Sequence, residues 1–195
     1  MRWAAMGMMM AAATGAWAAQ TRAAAARSVT VCMSTGNLSS TVGSKATASK
    51  IFGRVGVRID WHTLYACPAS PGVIKITFEQ HTSRTEHPGA LAYALPYEGT
   101  HIVVFYDRLG ELVQVEQIQA VLAYVLVHEI THILEGITRH SATGIMKAHW
   151  NGDDYLAMRN NALTFAADDE ILLHAGLDKR LASEQPEQPA LVAAR

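Results

Sequence analysis

The sequence predicts an α+β fold, because an early strand and helix are followed by several short strands, and further helices come only after these. Two patterns carry that expectation. Alternation of apolar and polar residues marks the strands, and apolar positions at mixed three- and four-residue spacing mark the helices. A third observation gives the domain its centre: residues 120–127, Ala-Val-Leu-Ala-Tyr-Val-Leu-Val, are apolar on every side, as a buried central helix would be.

Residues 29–33 read as the first strand. Residues 39–55 read as a helix with an apolar face of Val42, Ala46, Ala48, Ile51, Phe52 and Val55, and with Lys45, Lys50 and Arg54 outward. Residues 57–61 and 73–78 alternate like half-buried strands, and the loop between them holds Cys67-Pro68 and Ser70-Pro71-Gly72. Residues 90–95 and 101–106 read as two more strands around Pro96-Tyr97-Glu98-Gly99-Thr100. The first of these is the best candidate for a sheet edge that pairs with an extended peptide; an ordinary interior strand is the other reading open to it. The apolar helix follows. Beyond Trp150, residues 153–158 and 167–174 read as short helices, each opening on acidic side chains that suit a helix N-terminus. Residues 183–195, in which Glu-Gln-Pro occurs twice, read as a polar, disordered tail.

The chemistry concentrates at the end of the apolar helix. His128 and His132 are one helical turn apart, so both imidazoles leave the same face with Cβ atoms roughly 5–6 Å apart, close enough to share one ion. Glu129 lies between them in the order His-Glu-x-x-His, where a carboxylate is not a ligand but can take a proton from a water that zinc has brought to a pKa of about 7. A catalytic zinc usually has three protein ligands. Gly136 follows the helix, where a left-handed residue would turn the backbone toward the metal, and His140 comes next in the returning loop. Gly144-Ile145-Met146 then forms a second glycine turn carrying a methionine that could floor the site. A His-Glu-x-x-His string also arises by chance on surface helices, but burying two histidines and a glutamate on an apolar helix is costly without a partner.

The motif resembles that of the metzincin clan of zinc metallopeptidases, His-Glu-x-x-His-x-x-Gly-x-x-His followed by a methionine-bearing turn. Here the glycine comes one position later and the last histidine two positions later. The pattern is therefore similar to a divergent branch, represented by small secreted bacterial proteins. What the resemblance implies is a twisted mixed sheet backing a central active-site helix, zinc held by His128, His132 and His140, Glu129 as general base, and a protein or peptide substrate. Two other readings stay open. In one, of the gluzincin type, the third ligand is a glutamate on a downstream helix, here Glu170. In the other the chain is a non-catalytic secreted metal-binding module. His62, His81, His87, His101, His149 and His174 lack metal-pair spacing and read as surface or hydrogen-bonded histidines, and Tyr155 takes no role.

The rest of the chain bounds these readings. At 195 residues it suits one domain, expected over residues 19–182. Residues 1–18 read as a signal peptide: Met1-Arg2, an apolar stretch too short to span a membrane, then Ala16-Trp17-Ala18 as a small-x-small cleavage site. Export to the periplasm or medium is the expectation, with no stable membrane span after cleavage. A net charge of −1 and no run of Lys or Arg exclude an electrostatic footprint for nucleic acid. Cys32 and Cys67 are the only cysteines, so an oxidising compartment allows one internal disulfide; two reduced core cysteines are the alternative.

Overall fold

A computed structural model of the protein describes residues 27–34, 39–83, 85 and 87–184. The expected signal peptide and most of the expected tail lie outside the described residues. Five strands, β1 (Ser28–Met33), β2 (Arg58–Thr63), β3 (Ile74–Glu79), β4 (Ala92–Ala94) and β5 (His101–Phe105), form one sheet in the order β2-β1-β3-β5-β4. All neighbours are parallel except β4, which runs antiparallel to β5 at the edge. The sheet is mixed, as expected. Of the two readings of residues 90–95, the edge is the one realised.

Among the described residues five α-helices complete the domain, α1 (Ser40–Arg54), α2 (Tyr106–Leu112), α3 (Val115–Glu135), α4 (Gly152–Arg159) and α5 (Ala167–Glu184), with a short 3-10 turn at Leu64–Ala66. The strands alternate: Val31, Met33, Ile74, Ile76, Ile102 and Val104 are buried on one face of the sheet, while Lys75 and Thr77 on the opposite face of its central strand are exposed. Helix α3 packs against α1, α5 and the β4 end of the sheet, and every residue from Val121 to Leu134 is buried. Among the described residues it is the one helix long and apolar enough to cross a membrane, yet 83% of its apolar window is covered by the protein itself. It is a core helix.

Three expectations shift. On α1 the buried residues are Thr41, Ser44, Ala48, Ile51 and Phe52, while Val42 is 70% exposed and Ala46 is exposed too. Closeness to α3 is the reason: the Ser44 hydroxyl lies 2.9 Å from the Gln119 carbonyl oxygen, and a Cβ on Gly43 would overlap the Gln119 side chain. Small residues allow that approach where branched ones would not. Helix α2 begins at Tyr106, where the fifth strand was expected to finish. Helix α5 runs on past His174 through Glu184, because Leu173, Leu177 and Leu181 repeat at four-residue spacing and keep one face against the core.

Cys32 and Cys67 are bridged, with Cα atoms 5.6 Å apart. The bond ties the loop after β2 to β1, whose Cys32 is fully buried.

Candidate metal centre

Helix α3 stops at Gly136, which takes the left-handed conformation (φ 68°) and returns its N–H to the His132 carbonyl at 3.0 Å. The chain then doubles back over the helix end. His132 Nδ1 donates to the Ile137 carbonyl oxygen at 3.0 Å, and His128 Nδ1 donates to the Ile145 carbonyl oxygen at 2.9 Å. A carbonyl can only accept, so both imidazoles carry their proton on Nδ1 and present a bare Nε2. Those nitrogens converge: His132 Nε2 lies 3.0 Å from His128 Nε2 and 3.3 Å from His140 Nε2.

The donor set fits a zinc ion. Two nitrogens each about 2.0–2.1 Å from one tetrahedral ion lie about 3.3 Å apart, so spacings of 3.0 and 3.3 Å are those of a shared ion. Among the described residues these three histidines form the one group of His, Cys, Asp or Glu side chains gathered closely enough to hold a metal. Protonation supports the same use. Burial, then the neighbouring His132, pushes His128 down to about 3, and burial with His140 pushes His132 down to about 4. His140, more exposed, is lowered by its partial burial and by His149. All three are therefore neutral imidazoles at neutral pH, the form that binds a metal.

Glu129 projects from the same helix and is buried; burial pushes its carboxyl up to about 8, against which the Ala94 backbone N–H of β4 donates a hydrogen bond. Along β4, Phe105 N–H donates to the Leu91 carbonyl and Leu95 N–H to the His101 carbonyl, so the odd-numbered residues face β5. The main-chain groups of Ala92 and Ala94 therefore point the other way, toward the cleft. A cavity of about 520 Å³ lies between β4 and the histidines, walled by Ala90, Leu91, Leu112, Val125, Trp150 and Tyr155. His149, expected as a plain surface histidine, is exposed but lines this cavity, as does Tyr155.

The Met146 turn adjoins the site through Ile145, whose carbonyl meets His128. Met146 is buried, Ser141 N–H donates to its carbonyl oxygen at 2.7 Å, and Trp150 Nε1 donates at 3.2 Å to the Ile145 carbonyl that also orients His128. Glu170 is exposed and stands outside the histidine group. Its neighbour Asp169 is the one turned inward: fully buried, it accepts from Arg139 Nη2 at 2.8 Å, from the Ser141 hydroxyl and from the Ala166 N–H at 3.2 Å. Sequence reasoning saw Asp169 only as a helix N-terminal acid, since the sequence does not reveal that the start of α5 folds against the loop carrying His140.

No family model matches the chain, and no curated protein does. Among solved structures, archaemetzincin from Methanopyrus kandleri aligns over 78% of this chain and 96% of its own, with a TM-score of 0.55 at 14% identity. The fold is metzincin-like. The structure of myroilysin aligns over 74% of this chain and 71% of its own at 14% identity, with a TM-score of 0.37 that is too low to compare folds. In this chain α3 packs against the β4 end of the sheet, and the three histidines gather at the end of that helix and in the loop that follows it.

Proposed function

We propose that this protein is a zinc-dependent metallopeptidase, exported to the periplasm or medium, that cleaves peptide bonds in an extended substrate held along β4. One observation carries the reading: three neutral imidazoles converge within a shared-ion distance beside a buried carboxyl, on the floor of a cleft bounded by a sheet edge.

His128, His132 and His140 would hold the ion through Nε2. When bound, zinc supplies Lewis acidity, which lowers the pKa of a water and polarises a carbonyl. Glu129 takes the proton from the attacking water on its carboxylate and passes it to the leaving amide nitrogen. Burial raises the affinity of its carboxylate for a proton, which makes the ionised group a stronger base than an exposed glutamate. Ala92 and the carbonyl of Ala94, whose N–H is given to Glu129, offer main-chain groups to an extended peptide, which would add a strand to the sheet edge and bring the scissile bond beside the histidine group. The apolar walls from Leu91, Leu112 and Val125 then receive a side chain. Supporting export are the apolar N-terminal segment with its small-x-small site and the Cys32–Cys67 bridge.

The test is metal analysis of the purified mature protein together with cleavage of a peptide library, before and after chelation. The expected result is one zinc per chain, with hydrolysis lost on chelation and recovered on adding zinc. A protein that binds no zinc, or whose cleavage is indifferent to chelation, would overturn the reading.

A further inference from the structure

His140 is the exposed member of the histidine group and the one that does not come from α3. It stands in a loop, and a loop needs something to hold it. His128 and His132 are placed by a rigid helix and oriented by the Ile145 and Ile137 carbonyls, whereas both sequence neighbours of His140 are tied to one buried carboxylate. Arg139 and Ser141 both reach one oxygen of the Asp169 carboxylate, and the second oxygen accepts the Ala166 N–H.

The segment that presents Asp169 is itself braced against the methionine turn. Ile145 N–H donates to the Thr164 carbonyl at 3.0 Å, and Gly144 is pressed against the backbone of Thr164 and Ala166. Further along α5, a Cβ on Gly176 would lie 2.4 Å from the Leu134 carbonyl oxygen, so α5 is in backbone contact with the last turn of α3. The segment leading into α5 thus touches the methionine turn, the first turn of α5 touches the loop of the third ligand, and the body of the helix touches the element bearing the first two ligands.

We propose that Asp169 is a positioning residue for the metal centre: by clamping Arg139 and Ser141 on either side of His140, it holds the third imidazole against the other two and so sets how tightly the site keeps its ion. This rests on the metal reading given above. Two features make the clamp more than a generic ion pair. Asp169 is fully buried, so the carboxylate is held in place by the fold, and its partners flank the ligand directly in sequence. Outer partners that orient a ligand typically alter metal affinity by about 10–100-fold when removed.

The experiment measures zinc affinity, by competition with a chromophoric chelator, for the full mature chain and for D169A, H140A and the double variant. D169A should weaken zinc binding about 10–100-fold. In the H140A background the same substitution should cost nothing further, since the ligand it positions is gone. Equal losses in both backgrounds would mean that Asp169 merely stabilises the fold, and would overturn the proposal. Should D169A fail to fold, the combined S141A/R139Q variant removes the same two contacts without emptying the buried site; a weakened zinc affinity upholds the clamp, and an unchanged one removes it. If H140A itself binds zinc like the wild type, the metal reading fails, a result distinct from failure of the clamp.

Discussion

Gly144 and Thr164 are packed so closely that a Cβ on Gly144 would lie 2.6 Å from the Thr164 carbonyl oxygen, and Gly144 has φ +75° besides. Both the space and the backbone conformation call for glycine there. Gly144→Ala should therefore destabilise the protein by about 1–3 kcal/mol. It should also loosen zinc, because the next residue, Ile145, supplies the carbonyl that orients His128. Urea unfolding and zinc titration of the variant check both effects; a wild-type midpoint would show that the turn accommodates a side chain.

Glu129→Ala should separate chemistry from metal binding. The variant should keep its zinc and its fold while hydrolysis falls by at least about 10²–10⁴-fold, the usual contribution of a positioned base. Wild-type turnover of an established substrate by this variant would refute the assigned role.

The third ligand is tested by two substitutions compared side by side. His140→Ala should lower zinc content sharply, whereas Glu170→Ala should leave it near one per chain, since Glu170 is exposed and outside the histidine group. The opposite pattern would move the site to the gluzincin arrangement.

Stability of the metal-free protein should depend on pH in opposite senses at neighbouring residues. Glu129 has a folded pKa of about 8 against an ordinary 4.5, so its contribution is complete below about 4.5 and is lost as pH rises through about 8. His128 and His132, lowered to about 3 and about 4 from 6.5, contribute above about 6.5 and lose that contribution as pH falls through those values. Thermal unfolding of chelated protein should show Glu129→Gln gaining on the wild type between about pH 5 and about pH 9. A constant difference across that range would contradict the burial of the charge.

Reduction of Cys32–Cys67 should lower the melting temperature. The bond joins residues 35 apart in sequence, and loops of this kind stabilise by roughly 2–4 kcal/mol in the chain-entropy picture. Alkylation and mass measurement before and after reduction, with melting curves for each form, check it.

The histidine triad was legible because its spacing is local: one helical turn fixes His128 and His132, and Gly136 announces the reversal that returns His140. The edge position of β4 was legible only as one of two readings, since strand order depends on long-range pairing that no short window contains. Asp169 was not legible as part of the site. Its neighbours in sequence explain an acid at a helix start, and its partners Arg139 and Ser141 lie 30 and 28 residues away. The buried face of α1 misled for a related reason. Val42 looked like core by its hydrophobicity, but contact with Gln119 selected Gly43 and Ser44 by their size.

Strand β4 is only three residues long, with Pro88 a few positions before it and Pro96 shortly after. A sheet edge that can receive a peptide can equally template a second copy of the same chain, and so seed aggregates. Prolines close to both ends limit how far such a ladder could extend, because neither can donate a main-chain hydrogen bond to it. The brevity of β4 therefore leaves few main-chain groups on which such a ladder could begin.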